Sequence, residues 1–448
     1  MSKTRVSFNN SYIIGISFIS ALGGYLFGFD FAVISGALPF LRTAFQLSAW
    51  WEGFLTGSLA LGCIVGCLLA GKIADRYGRR PGLMVAAVIF AVSSLGMAFS
   101  AGLSQFVAMR FCAGIGVGMA SMLSPMYIAE ISPAQMRGRN VAINQLTIVI
   151  GILVTNVVNY SLADKGDQAW RWMFGLGVIP SILFLIGVVF LPESPRWLVK
   201  AGQAGKAAAI LNKIGSQDFA DNTMGDIERS LDHSARPSYA AVFAKGVRPA
   251  VIMGITLAVF QQFCGINVVF NYTSTIFKSV GASLDNQLFQ TVAIGVVNLF
   301  FTILAMWQVD KLGRRPLMLI GSIGLSVVYV ILAVLLKQQA AAGLVSIFVL
   351  IAIGLYATSL APVTWVLISE IFPNNIRGVA SSVAIVSLWI AYFILVFTFP
   401  VLAEYLGTYG PFYLYALICL LGFLFVKAKV IETKGKTLEE LEHNFSTH

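Results

Sequence analysis

The sequence predicts an all-α, polytopic membrane protein of twelve transmembrane helices, built as two six-helix halves with a short cytoplasmic helical linker between them. Three observations carry this reading. The 448 residues are 58% hydrophobic and 11% charged, whereas soluble domains run about 45–50% apolar and about 25% charged. The apolar residues gather into twelve runs, mostly near the ~20 residues that cross a ~30 Å hydrocarbon core. Two polar motifs then recur at nearly the same distance along the chain.

The first six runs cover residues 12–38, 52–71, 82–101, 105–127, 141–162 and 172–191. The second six cover 250–277, 288–309, 316–336, 343–368, 379–403 and 410–427. The first is too long for the apolar core of a cleavable signal peptide and is expected to be retained. Of the 30 Lys and Arg, 24 fall on the side of the N-terminus, 5 fall opposite and Arg110 lies inside a span. Without the linker the ratio is still 16 to 5, so the positive-inside rule places both termini in the cytoplasm. Basic residues facing anionic lipid headgroups account for the net charge of +10 and leave no need for nucleic acid. The five cysteines all sit in apolar spans; Cys63 and Cys67, at i and i+4, read as helix packing rather than a disulfide or a metal site.

The repeats divide the chain. DRYGRR begins at Asp75 and DKLGRR at Asp310, 235 residues on. EISPAQMRG begins at Glu130 and EIFPNNIRG at Glu370, 240 residues on, and in each an Arg follows the Glu by seven residues (Arg137, Arg377). Two matches at nearly equal spacing predict parallel homologous halves, 1–191 and 250–427, of the kind that place a site between them. The polar segment 192–249 is the linker and 428–448 a cytoplasmic tail. Within the linker, SPRWLVKAGQAGKAAAILNKIG reads as one helix with Ser194 as N-cap and Pro195 at its first position, followed by a short helix near Asp226–His233. No Gly-x4-Gly-Lys-Ser/Thr loop occurs, which argues against ATP-driven action by this chain. No nucleophile–base pair or metal-ligand cluster is discernible, so neither an enzyme nor a cofactor nor a metal is expected.

These motifs, with PESPRW at Pro192–Trp197, QQFCGIN at Gln261–Asn267 and ETKG at Glu432–Gly435, resemble the sugar porter family of the major facilitator superfamily over nearly the whole chain. The stretch GGYLFGFDFAVISG around Asp30 is most like bacterial sugar/proton symporters of the xylose-symporter kind. Facilitative glucose transporters of animals are similar but carry Asn where Asp30 stands. The resemblance implies a major facilitator fold and transport of a monosaccharide, hexose or pentose, by alternating access. It also implies cytoplasmic networks that hold the outward-facing state, formed by Asp75, Arg79, Arg80, Glu130, Arg137, Glu193 and Arg196 in the first half and by Asp310, Arg314, Arg315, Glu370 and Arg377 in the second.

Asp30 is the only charge between Ile13 and Leu41, where a carboxylate costs about 2.5–3.5 kcal/mol or more. It lies 17 residues past Ile13, about 25 Å along a helix rising 1.5 Å per residue. The first span runs outward and the fourth inward, so Asp30 and Arg110, near the start of the fourth, fall at similar depth. Arg110 would hold Asp30 ionised, and separating the two would favour its protonated form. Histidine is excluded as proton carrier, since His233, His443 and His448 lie in the linker and tail. The resemblance assigns the same roles, Asp30 as proton acceptor and Arg110 as its partner. A static ion pair that fixes spans 1 and 4 is the competing reading.

Sugar hydroxyls donate and accept hydrogen bonds, as amides do, and aromatic rings cover sugar apolar faces. The spans supply Gln145, Gln261, Gln262, Asn267 and Asn298, with Trp365 and Trp389. The family resemblance carries sugar contacts onto these positions and places Phe27 on the wall beside Asp30. In a regular helix Asn267 would point at least about 140° away from Gln262, so Gly265 predicts a break that lets them converge. The chain departs from the family pattern at Asn271, where many relatives have Tyr, and at Leu388 and Tyr392, where amides are common. Ile152 stands where xylose symporters have Gln, and Ala361 replaces a Gly. The expected function is proton-coupled monosaccharide symport in a bacterial cytoplasmic membrane, by a monomer. A uniporter with Asp30 as structure and a non-transporting sugar sensor are the alternatives, the short tail arguing against the sensor.

Overall fold

The computed structural model describes residues 8–232, 244, 247–372 and 376–434, with the side chains of 230–232, 309–310, 369–370 and 377 outside that description. His233, His443, His448 and Gly435 therefore lie outside the described residues, as do the side chains of Asp310, Glu370 and Arg377. No strand occurs among the described residues.

The first half comprises α1 (Asn10–Phe45), α2 (Ala49–Tyr77), α3 (Arg79–Ala98), α4 (Leu103–Ile131), α5 (Arg137–Leu162), a 3-10 turn (Ala163–Gln168), α6 (Ala169–Gly175) and α7 (Val178–Phe190). The linker carries α8 (Pro195–Lys200), α9 (Ala204–Ile214) and α10 (Gln217–Asp232). The second half comprises α11 (Arg248–Phe263), α12 (Ile266–Asn271), α13 (Thr273–Lys278), α14 (Leu284–Leu312), α15 (Arg314–Lys337), α16 (Ala342–Thr358), α17 (Leu360–Ile371), α18 (Arg377–Leu406) and α19 (Gly410–Lys429).

Local chemistry sets the ends of these helices. Asn9 caps α1 by accepting from the Tyr12 N–H at 3.2 Å, and Ser48 and Ser283 cap α2 and α14 in the same way. Gly78 (φ +104°) and Gly313 (φ +90°) make the turns into α3 and α15, a conformation open to glycine because it has no Cβ. These are the repeated glycines of the two Gly-Arg-Arg motifs.

Among the described residues, eleven continuous helical runs are long and apolar enough to cross a membrane. One of them, Arg137–Phe190 at 54 residues, crosses twice, because Gly166 breaks helical geometry in its middle. Twelve spans result. Three of them are interrupted: span 7 at Gly265, where its sequence predicts a break, and again at Tyr272; span 6 at Leu176–Gly177 and span 10 at Ser359 (φ −124°, ψ −88°), both expected as single helices. Hydropathy is blind to these breaks, since the residues on both sides stay apolar.

The halves repeat their packing. α1 lies on α5, α2 on α4 and α3 on α6 and α7; in the second half α11 lies on α18, α14 on α16 and α15 on α19. The halves meet through α2 against α18 and α5 against α14.

The linker differs from its expected form. Ser194 does cap a helix, its oxygen accepting from Trp197 N–H, but Gly202 (φ +74°) splits the predicted single helix into α8 and α9. The second linker helix starts at Gln217, well before the expected Asp226. α8 packs on α4 and α9 on α1, Phe8 stacks edge-on against Phe219, and so the linker underlies the first half.

Candidate functional site

The carboxylate of Asp30 and the guanidinium of Arg110 meet, as depth predicts. Arg110 Nη1 donates to Asp30 Oδ1 at 3.4 Å, and neither side chain is reached by solvent. The pair is long for a charge-assisted bond, which usually spans about 2.7–2.9 Å. Asp30 Oδ2 and Arg110 Nε and Nη2 have no hydrogen-bond partner among the described residues. The Arg110 guanidinium also lies 5.8 Å from the centroid of the Phe174 ring.

Gly265 breaks span 7 as its sequence suggests. It adopts φ +87°, and a Cβ there would lie 2.5 Å from the Tyr415 ring. The break turns α12 so that the amides converge. Gln261 Nε2 donates to Tyr356 Oη at 2.8 Å, Gln262 Nε2 to Gln261 Oε1 at 2.5 Å, and Asn267 Nδ2 to Gln262 Oε1. These three amides form one buried row. Gln145 on α5 is half-buried and Asn298 on α14 is buried; neither bonds to the row among the described residues. Phe27 and Trp389 stand 5.7 Å apart as an edge-on pair joining the two halves. Trp365, on α17, is 42% exposed.

The charged network of the first half takes a definite form. Glu130 does not pair with Arg137. Its carboxylate takes the Arg79 guanidinium in two bonds of 2.8 and 2.7 Å, because α3 packs directly on α4. Arg137 instead donates to the Ala129 carbonyl. Glu193 accepts from the N–H groups of Arg79 and Arg80 at the start of α3, at 2.9 and 3.1 Å. Arg80 reaches the Val189 carbonyl, Lys200 pairs with Asp75 at 3.0 Å, and Arg196 is exposed.

Sequence reasoning gave Glu432 no role, yet it performs the same task in the second half. Its carboxylate accepts from Arg314 and Arg315 N–H at 3.0 and 3.1 Å, and Arg315 reaches the Lys427 carbonyl. The signal was present: Glu432 follows Glu193 by 239 residues, in step with the other repeats. The two carboxylates differ in proton affinity. Burial pushes the Glu193 carboxyl above the usual glutamate range despite its N–H donors. At Glu432 burial acts the same way but is outweighed by N–H groups of Lys434, Arg314, Arg315 and Thr433, so its carboxyl falls below that range.

Other contacts went unforeseen. On the face opposite the linker, Arg42 holds Glu52 in a bidentate pair of 2.6 and 2.5 Å and reaches across to Thr275 at 2.5 Å. Ser274 donates to the Ser35 carbonyl and Asn156 to that of Thr291. These bonds between halves all lie toward that far face, whereas the Arg79–Glu130–Glu193 and Arg315–Glu432 networks stay within their halves.

Two parallel repeats joined at one end, with polar side chains held between them, make the arrangement of a secondary transporter of the major facilitator type. The chain belongs to the sugar transporter family: the family model for sugar (and other) transporters matches residues 16–445. It is 40% identical to the D-xylose-proton symporter of Escherichia coli strain K12 over 98% of this chain and 96% of that one. It is 36% identical to the arabinose-proton symporter of Bacillus subtilis over 97% and 96%. Among solved structures it is similar to the E. coli xylose transporter in a partially occluded inward-open conformation, with a TM-score of 0.86 and 38% identity over 95% of this chain and 100% of that one. The same symporter bound to 6-bromo-6-deoxy-D-glucose gives a TM-score of 0.81, with 40% identity over 98% and 100%. As a member of this family the chain is a multi-pass membrane transporter, not an enzyme.

Proposed function

We propose that this protein couples the entry of a monosaccharide, pentose or hexose, to proton entry across a bacterial cytoplasmic membrane, with both termini and the linker in the cytoplasm and one chain as the working unit. The observation that carries the reading is the buried Asp30–Arg110 pair, 3.4 Å apart with three of its polar atoms unbonded. Asp30 takes the proton and Arg110 holds its ionised form. Gln261, Gln262 and Asn267 bind the sugar hydroxyls, joined by Gln145 and Asn298 from the facing helices. Phe27, Trp365 and Trp389 cover the apolar faces of the sugar.

On this reading the far-face bonds of Arg42, Ser274 and Asn156 close the extracellular side, so the structure stands in an inward-facing arrangement. The Arg79–Glu130 pair and its second-half counterparts then reorganise to close the cytoplasmic side.

The test is proton flux. Proteoliposomes loaded with a pH-sensitive dye receive a panel of pentoses and hexoses after a thermal-shift screen has picked the sugar that binds. Symport predicts sugar-dependent acidification of the lumen; sugar entry without proton movement would overturn the proposal in favour of a uniporter.

A further inference from the structure

Two departures from the family pattern, Asn271 and Tyr392, touch each other. Asn271 Nδ2 donates to Tyr392 Oη at 2.9 Å and to the Asn267 carbonyl at 2.7 Å, and Tyr392 Oη donates to Asn271 Oδ1 at 3.2 Å. Both side chains are buried. The amide sits on α12 and the phenol on α18, so the bond joins these two helices.

That placement has consequences. Tyr392 lies 5.9 Å from the Phe31 ring and 5.7 Å from that of Trp389, and Phe31 lies 5.6 Å from Phe270. Phe31 is the residue next to Asp30 in the chain, so the ring of Tyr392 bears on the segment of α1 that carries the carboxylate. On its other side Asn271 is tied through the Asn267 backbone to the amide row. A continuous path of bonded and packed groups thus runs from Gln261 to Phe31. Both polar atoms of Asn271 have protein partners, which makes it a holder of Tyr392 rather than a sugar ligand.

We infer that the Asn271–Tyr392 pair is the coupling element of this transporter: it links occupation of the amide row by sugar to the position of Asp30 relative to Arg110. The inference rests on the symport reading above. A sugar hydroxyl bonding to the Asn267 side chain pulls on α12, Asn271 carries that shift to Tyr392, and the Tyr392 ring moves against Phe31. Asn271 and Tyr392 are positioning residues, acting through α1 without touching the proton.

The experiment compares the wild type, Tyr392→Phe, Asn271→Ala and the double variant in proteoliposomes, reading counterflow KM for the sugar and protons taken up per sugar. Tyr392→Phe keeps the ring and removes only the hydroxyl, so it decides the matter even if Asn271→Ala does not fold. The expected result is a KM within about threefold of wild type in the single variants, with protons per sugar falling by roughly half or more. The double variant is expected to lose no more than the worse single one, because the two residues act as one unit. Unchanged protons per sugar in Tyr392→Phe would overturn the inference. So would a rise in KM of about tenfold with coupling intact, which would make the pair a direct sugar contact. If the wild type moves no protons with any sugar, the symport reading and this inference fall together; if it does and Tyr392→Phe does equally, only this inference falls.

Discussion

Asp30→Asn is the most informative single change. At 3.4 Å and an effective dielectric of about 20, the attraction between the two unit charges is about 5 kcal/mol. The length of the contact and the unbonded Arg110 Nε and Nη2 mean that little additional hydrogen-bond energy supports it. Asparagine keeps an acceptor in place but leaves a guanidinium buried and uncompensated, so the variant is expected to lose about 3–5 kcal/mol of stability. Thermal unfolding in detergent should show this loss. Asp30→Asn combined with Arg110→Met removes both charges and should recover most of it, since exchanging a buried pair for apolar groups is often neutral.

The transport signature is separate from the stability signature. With no titratable group at position 30, sugar counterflow should persist while accumulation against a sugar gradient disappears. The assay is uptake of labelled sugar into proteoliposomes, run once with an imposed pH gradient and once as exchange. Uphill accumulation by Asp30→Asn would refute the reasoning. If the single variant is too unstable to assay, the double variant supplies folded protein for the same comparison.

Three further outcomes follow from the geometry. Gly265→Ala places a methyl against the Tyr415 ring at φ +87°, adding about 1–2 kcal/mol for the left-handed backbone and about 1–3 for overpacking. Sugar-induced thermal stabilisation should weaken at least about tenfold in apparent affinity, and unchanged affinity would show that the break does not build the site. Glu52→Gln removes the carboxylate that Arg42 grips on the far face, a loss of about 1.5–3 kcal/mol from the charged bonds; spin labels at the far ends of α1 and α13 should report a longer, broader distance, and an unaltered distribution would count against this contact as a closure. As pH falls from neutral, Glu193 protonates before Glu432, because burial raises its proton affinity; the stability this contributes is present at low pH and lost as pH rises through its folded value. Glu432 behaves oppositely, its contribution present at neutral pH and lost only as pH falls through its lowered value. Infrared titration should therefore show a carboxyl band above the usual glutamate range that Glu193→Gln abolishes and Glu432→Gln leaves in place.

Some of this was legible in the sequence because simple geometry governs it. The depth of Asp30 and Arg110 follows from counting residues along helices of known direction, and their contact follows from that. Convergence of Gln262 and Asn267 was legible because glycine at a position between amides on opposite helix faces has few other uses. The partner of Glu130 was not legible. The repeat marks Glu130 and Arg137 without saying what each bonds: the turn between α4 and α5 carries the Arg137 guanidinium to a carbonyl, and the packing of α3 on α4 delivers Arg79 to Glu130. Tyr356 was invisible for a similar reason, since it meets Gln261 from 95 residues away and only the tertiary fold brings them together. The breaks in spans 6 and 10 escaped because hydropathy averages over them.

The repeat gives the site its logic. Motifs separated by 235 to 240 residues are equivalent, and by that measure Asp30 on α1 corresponds to the segment from Gly265, at the break, to Phe270 on α12. The carboxylate proposed to take the proton and one of the amides proposed to take the sugar, Asn267, therefore occupy matching places in the two halves. Their environments diverge in one physical respect. α1 runs unbroken for 36 residues, keeping its carboxylate buried beside one cation, while Gly265 breaks its counterpart and brings Asn267 to Gln262. The two segments also touch, α1 packing on α12 and α13. On the symport proposal, coupling would then need no long-range pathway: a ligand that shifted the broken helix would act directly on its unbroken partner, through the contact at Phe31, Phe270 and Tyr392.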